Sequence, residues 1–167
     1  QLTTAAIVCA ADPSFGTQPA IGEPHRVSKL YFIAWSSNKW TAYQAALRQL
    51  VRRRADGRCE YCRLVQKMEP LSFHIEHIVS RQHGGTDSPD NLALACHHCN
   101  LRKGTNLTAI DTDTGLLTRL FHPRQDVWEQ PFIERAGEVI GRTAVERATV
   151  RLLKMNDRGR LRLRAVQ

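Results

Sequence analysis

Two pairs of cysteines constrain the fold of this chain more than any other feature. Cys59 and Cys62 are separated by two residues, as are Cys96 and Cys99, and 33 residues lie between the pairs. Such spacers let each pair bend round one ion, and four thiolates at about 2.3 Å form the closed shell of a structural zinc site. Disulfides and unrelated buried thiols are the alternatives, and Cys9 stands outside the set. We predict Zn²⁺ at these four cysteines, and catalysis must come from elsewhere because a closed shell leaves no position for substrate.

The segment between the two pairs combines a strand-like alternation with a polar loop. Residues 73–79 read Phe-His-Ile-Glu-His-Ile-Val, and residues 92–94 predict a short returning strand. Beyond Cys96, a short helix is predicted that runs through Asn100 to Lys103 and ends at Gly104. On a strand, the neighbours Glu76 and His77 project to opposite faces. A carboxylate so placed can hold a hard cation such as Mg²⁺ while the imidazole faces a water, and phosphodiester hydrolysis needs both.

These residues resemble the HNH endonuclease family, also described as the ββα-metal nucleases, in its zinc-bound form. The matching positions are the two Cys pairs, Glu76-His77-Ile78-Val79, Gly84-Gly85, Asn91-Leu92, and the run from Cys96 to Lys103. The resemblance implies an α+β fold in which a ββα-metal (HNH) core is pinned by a structural four-cysteine zinc site and flanked by helices. It also implies a metal-dependent endonuclease that hydrolyses DNA phosphodiester bonds. Residues 110–150 look like a tail often attached to bacterial HNH proteins.

The resemblance assigns a role to each catalytic position. It implies that His77 is the general base and that Glu76 is a ligand of a catalytic Mg²⁺ or Mn²⁺. Asn100 takes the place of the second protein ligand, and Asn91 takes the middle position, which orients the base and the loop. Glu76 stands where Asp is commoner in the family, so the ligating oxygen is kept while its reach is one methylene longer.

An excess of positive charge points to a polyanionic partner. The chain has 24 Lys and Arg against 16 Asp and Glu, a formal net charge of +8, which favours DNA through the release of counterions. The predicted nucleic-acid contacts are Arg52, Arg53, Arg54, Arg102 and Lys103. The Arg run suits the C-terminal end of a helix dipole equally well. The C-terminal arginines, which are Arg158, Arg160, Arg162 and Arg164, either contact DNA or form a solvated face.

No apolar run approaches the ~18 residues that a membrane span requires, so we predict no membrane partner and a cytoplasmic location. The chain divides into three predicted segments: 1–38, a poorly ordered leader; 39–109, the HNH nuclease domain with its zinc knuckles; and 110–167, a basic strand-helix extension. A helix over residues 40–54 with Thr41 as its N-cap opens the second segment. Strands near 116–121 and 132–134, and a helix that starts at a Thr143 capping box, make up the third.

Two other functions compete with an endonuclease. A non-catalytic zinc-stabilised nucleic-acid-binding module would suit the charge and the cysteine pairs equally well. A third interpretation is a structural interaction domain within a larger nucleic-acid-processing assembly. The discriminating feature is the set Glu76, His77 and Asn100, which a binding module does not need. We therefore predict a metal-dependent HNH endonuclease with His77 as the general base.

Overall fold

The computed structural model describes the backbone of residues 27–167 and the side chains from Thr41 onward. Its helices are α1 (Val27–Arg54), α2 (His97–Lys103), α3 (Ala144–Leu152) and α4 (Arg158–Arg164). Its strands are β1 (His74–His77), β2 (Leu92–Ala95), β3 (Thr108–Ile110), β4 (Leu117–Arg119), β5 (Phe132–Arg135) and β6 (Glu138–Gly141). The strands pair in three antiparallel hairpins, β1 with β2, β3 with β4 and β5 with β6. The mixture of helices and small sheets confirms the α+β class.

The chain divides into two units, Gln1–Lys39 and Trp40–Gln167, and the core and the candidate site described below lie in the second. Residues 1–26, which make up most of the predicted leader, lie outside the described residues, as does Cys9. None of the described helices is long and apolar enough to cross a membrane. The predicted functional boundary between residues 109 and 110 stays a prediction.

Helix α1 begins earlier than the sequence pattern indicates. It starts at Val27, so Thr41 lies inside the helix and the predicted N-cap is wrong. The last helix breaker before it is Pro24, and no glycine or proline follows until Gly57, so nothing in the sequence ends the helix sooner. Its buried side chains near the C-terminal end are Leu47 and Val51, one turn apart.

The hairpin of β1 and β2 lies at the centre of the second unit. Glu76 pairs with Ala93 and His77 with Leu92, and every residue of β2 is buried. The chain then enters α2 through Cys96, its N-cap, and leaves it at Gly104, which has a φ of +50°. The strands near 73–79 and 92–94 and the helix end at Gly104 are confirmed.

The C-terminal half adds two more hairpins and two helices. The predicted strands are found as β4 and β5, whereas their partners β3 and β6 were not predicted. Residues Ala136 and Gly137 join β5 to β6 with φ values of +52° and +81°, the combination that tight hairpin turns require. Helix α3 starts after Thr143 as predicted, but the Thr143 hydroxyl bonds the Glu146 carboxylate instead of capping the backbone.

One hydrophobic core joins all parts of the second unit. It includes Leu47 and Val51 from α1, Leu94 from β2, and Phe132 and Leu153 from the C-terminal half. The four paired cysteines are part of the same core. The zinc knuckles, the central hairpin and the C-terminal extension therefore stabilise one another.

Candidate active site and metal centre

The four paired cysteines form one buried cluster. Cys59, Cys62, Cys96 and Cys99 are all fully buried, and their sulfurs lie within 4.8 Å of one another. The Cys62 and Cys96 sulfurs are 3.8 Å apart. A tetrahedron with metal–sulfur bonds of about 2.3 Å has edges of about 3.8 Å, so the cluster has the size that Zn²⁺ requires. No disulfide joins these four cysteines.

The backbone around each pair is shaped to aim the sulfurs inward. The Cys59 carbonyl accepts a hydrogen bond from the Arg63 N–H at 2.9 Å, and Arg63 has a left-handed φ of +60° that closes the first knuckle. In the second knuckle, the Cys96 sulfur accepts from the Cys99 N–H at 3.4 Å. Burial raises the pKa of the Cys59 thiol well above its usual range. Four buried thiolates so close together are unfavourable without a balancing cation.

Glu76 points into the interior from β1. It is only 7% exposed, and its Oε1 atom has no hydrogen-bond partner among the described residues. The nearest opposite charge is the Lys103 ammonium, whose Nζ lies 3.9 Å from Oε1. Burial raises the pKa of Glu76 to about 7, although the Lys103 charge opposes that shift. Glu76 is therefore a buried carboxylate with an unused oxygen.

His77 is half-buried and is held by a carboxylate. Its Nε2 atom lies 2.7 Å from Oδ1 of Asp87, and Arg81 bonds both oxygens of the same carboxylate at 2.7 and 2.5 Å. The pKa of Asp87 is lowered mainly by the hydrogen bond from His77 and, to a smaller extent, by the hydrogen bonds from Arg81. An ionised Asp87 can only accept, so the proton of the neutral imidazole lies on Nε2 and the lone pair on Nδ1. Asp87 was not predicted as a site residue, because it follows His77 by ten residues in a loop without periodicity.

Asn91 holds that loop closed. Its Oδ1 accepts from the Val79 N–H, and its Nδ2 donates to the carbonyls of Val79 and Thr86, each at 2.9 Å. The loop backbone also passes so close to Val79 that a Cβ on Gly85 would lie 1.7 Å from the Val79 carbonyl oxygen. The amide of Asn91 is thus engaged with the backbone that carries Asp87 towards His77.

Two clefts flank His77. One, of about 430 Å³, is lined by Glu76, His77 and Asn100 together with the start of the loop. The other, of about 370 Å³, is lined by His77 and Asp87 and by three arginines, which are Arg48, Arg52 and Arg81. The structure thus brings three of the four predicted catalytic residues to one cleft, whereas Asn91 is not among the residues that line it.

The predicted nucleic-acid contacts fall into two groups. Arg53 is exposed, Arg102 is 39% exposed beside Asp157, and Arg52 lines the second cleft while its Nη2 donates to the Phe73 carbonyl at 3.2 Å. Arg54 and Lys103 serve the fold instead. Arg54 donates to the carbonyls of Pro89 and Leu92.

Lys103 is only 2% exposed and donates to the His77 carbonyl at 3.1 Å. Its ammonium therefore supports β1 from inside, and the prediction that Lys103 contacts DNA is corrected on this ground. The spacing of basic residues along a helix could not reveal which of them faces the core.

Comparison with known proteins supports the family resemblance. The HNH endonuclease family model matches residues 59–106, from the first zinc knuckle to just beyond α2. The matched segment contains all four paired cysteines and all four predicted catalytic residues. The comparisons with curated proteins and with solved structures returned no match.

Residues 59–106 thus match the HNH endonuclease family model and contain a four-cysteine cluster that fits zinc. This segment is less than a third of the chain. The predicted resemblance is confirmed for it, and the nucleic-acid substrate is implied by the family.

Proposed function

We propose that the protein is a metal-dependent HNH endonuclease that hydrolyses DNA phosphodiester bonds. In this proposal β1, β2 and α2 are the ββα-metal core, and the four-cysteine cluster holds the structural Zn²⁺. The observation that carries it is the cleft that Glu76, His77 and Asn100 line together. A general base and two oxygen donors at one cleft are what hydrolysis with a hard cation needs.

His77 acts as the general base through Nδ1. The Asp87 carboxylate accepts a hydrogen bond from the Nε2–H group and so fixes the ring and its tautomer. The Nδ1 lone pair takes a proton from a water, and the resulting hydroxide attacks phosphorus. The bond to the 3′ oxygen then breaks and the leaving oxygen takes up a proton from solvent, which gives the 5′-phosphate and 3′-hydroxyl ends that the family implies.

Glu76 and Asn100 hold the divalent cation. Their side chains offer carboxylate and amide oxygens, which Mg²⁺ and Mn²⁺ prefer, and the unused buried Oε1 of Glu76 fits a ligand role. When bound there, the cation supplies electrostatic stabilisation of the charge that develops on the phosphate and on the leaving 3′ oxygen. Lys103 balances the Glu76 carboxylate in the cation-free protein.

DNA approaches through its phosphates. Arg48, Arg52 and Arg81 line the second cleft together with His77, and Asp87 is the only acidic group among its lining residues. Binding of this kind reads little sequence and depends strongly on salt. Apparent affinity for a DNA duplex is expected to fall by orders of magnitude between low and moderate salt, as measured by fluorescence anisotropy. A flat salt dependence would contradict this mode of binding.

The lysine beside Glu76 favours a second candidate function. Because the Lys103 ammonium lies 3.9 Å from the carboxylate, Glu76 is neutralised without a cation, as a non-catalytic zinc-stabilised nucleic-acid-binding module would require. The two functions differ in a plasmid-nicking assay with the purified full chain. The endonuclease converts supercoiled plasmid to nicked or linear DNA with Mg²⁺ or Mn²⁺, and EDTA stops it. Retained DNA binding without cleavage in either metal would establish the binding module instead.

A further inference from the structure

The arginines of α4 are not equivalent. Arg158 and Arg162 are exposed, whereas Arg160 and Arg164 are buried at 6% and 3% exposure. Only Arg158 and Arg162 can therefore contact DNA or form part of a solvated face. Arg160 needs a different explanation, because a guanidinium is costly to bury unless it meets compensating charge.

The partners of Arg160 are the sulfurs of the metal cluster. Its Nη2 lies 3.2 Å from the Cys96 sulfur and 3.7 Å from the Cys62 sulfur, so it contacts one cysteine of each knuckle. Its Nη1 donates to the Glu69 carboxylate, which holds the guanidinium in place. Cys96 and Cys62 precede Arg160 by 64 and 98 positions in the chain. Arg160 lies far outside the segment that the family model matches.

The charges explain this arrangement. Four thiolates around one Zn²⁺ carry a net charge of −2, and they are fully buried here. Removing that charge from water is unfavourable, and a guanidinium that donates to two of the sulfurs offsets part of the cost. Neutral thiols are only weak acceptors and would leave Arg160 with Glu69 alone.

We propose that Arg160 completes the zinc centre as an outer residue that orients the Cys62 and Cys96 thiolates and reduces their net negative charge. The metal centre then consists of four ligands from the HNH segment and one positioning residue from α4. Retention of Zn²⁺ accordingly depends on the C-terminal extension. This inference does not rest on the endonuclease activity.

The test compares zinc release from full-length variants. Each protein is purified with its metal, and transfer of Zn²⁺ to a chromogenic chelator is followed under native conditions. Outer residues of metal sites typically change metal affinity by about 10- to 100-fold. We expect Arg160→Met to release Zn²⁺ faster by about that factor. Arg162→Met, on the exposed side of the same helix, is expected to behave like the parent.

Arg164→Met separates the proposed role from simple loosening of α4. Arg164 is equally buried, but it donates to the carbonyls of Gly137 and Met155 and touches no sulfur. If Arg164→Met accelerates zinc release as much as Arg160→Met, the helix matters and the guanidinium–thiolate contact does not, which overturns the proposal. Parent-like release from a folded Arg160→Met protein overturns it as well.

Two milder variants keep the test decisive if Arg160→Met does not fold. Arg160→Lys keeps the charge but cannot span Glu69 and both sulfurs, and Glu69→Gln keeps the packing but weakens the hold on the guanidinium. Both variants are expected to release Zn²⁺ faster than the parent, by less than the factor expected when the guanidinium–sulfur contact is lost completely. Parent-like release from both would contradict the proposed role of Arg160.

Discussion

At the scale of single residues, the Asp87 carboxylate determines which nitrogen of His77 is available. The hydrogen bond from Nε2 leaves the Nδ1 lone pair free, and Arg81 keeps the carboxylate ionised from its other side. Asp87 is thus the positioning residue of the proposed base. Asn91 contributes to the same arrangement, because the hydrogen bonds of its amide fix the backbone of the loop that carries Asp87.

Asp87→Asn is expected to slow cleavage without loss of zinc or DNA binding. An asparagine amide can donate to Nε2, which places the proton on Nδ1 and removes the lone pair that the reaction uses. The turnover rate should fall by an amount approaching the ~10²- to 10⁴-fold that a general base contributes, with little change in KM. Asp90→Asn, an exposed position in the same loop, is the matched control. Equal rates for the two variants would exclude the positioning role of Asp87.

At the scale of elements, the sequence predicted those strands and helices that have a clear hydrophobic pattern or a clear terminating residue. The alternation around Glu76, the buried run Leu92–Ala95 and the terminating Gly104 each have a local signal. Strands β3 and β6 were missed because three or four residues with mixed exposure show no pattern of their own. The start of α1 was misplaced because Thr41 is a suitable N-cap residue, whereas the last helix breaker before the helix is Pro24.

The attachment of the β3–β4 hairpin to α3 gives a prediction on pH. The Asp111 carboxylate is fully buried and accepts from Arg147 Nε at 2.7 Å and from the Thr114 hydroxyl at 2.7 Å. The hydrogen bond from Arg147 is the main reason that the pKa of Asp111 lies well below its usual 3.8. A depressed pKa in the folded state means that this stabilisation is present above pH 3.8 and is lost as the pH falls further.

Asp111→Asn is therefore expected to lower the melting temperature by several degrees at neutral pH. The difference from the parent should shrink in acid as the parent loses the same ion pair. Asp113→Asn is the control, because Asp113 contacts the same arginine at 3.0 Å but is 63% exposed. Calorimetry between neutral and acidic pH measures both. If the melting temperature of Asp111→Asn stays below that of the parent by a constant amount as the pH falls, the Asp111–Arg147 ion pair is not the source of the difference.

At the scale of the whole molecule, the metal cluster and the core are one structure. The cysteines pack with side chains from α1, β2 and the C-terminal half, and α4 contributes Arg160 to the sulfurs. The sequence predicted the four ligands and, through the family resemblance, Glu76, His77 and Asn100. It could not predict Asp87 or Arg160, because each reaches its partners through tertiary contacts. Such contacts produce no recognisable residue spacing in the sequence.

Removal of one zinc ligand is expected to unfold the centre instead of merely slowing the reaction. Cys96→Ser breaks the set of four ligands, removes the sulfur that caps α2, and removes the nearer of the two sulfurs that Arg160 contacts. Elemental analysis should find one Zn²⁺ per parent chain and little in the variant, whose cooperative thermal transition should be lost. Cys9→Ser makes the same change outside the cluster and should retain both. A zinc-free protein with the parent's stability would refute the structural role of the metal.

The central claim, that His77 is the general base of a metal-dependent nuclease, is tested most directly by His77→Ala in the plasmid-nicking assay. The variant is expected to keep its zinc, its fold and its affinity for DNA, while cleavage in matched Mg²⁺ or Mn²⁺ falls by at least ~10²-fold. His83→Ala, an exposed histidine of the neighbouring loop, should cleave like the parent. If purified His77→Ala cuts plasmid as fast as the parent, with contaminating nuclease excluded, His77 is not the base and the proposed mechanism is wrong.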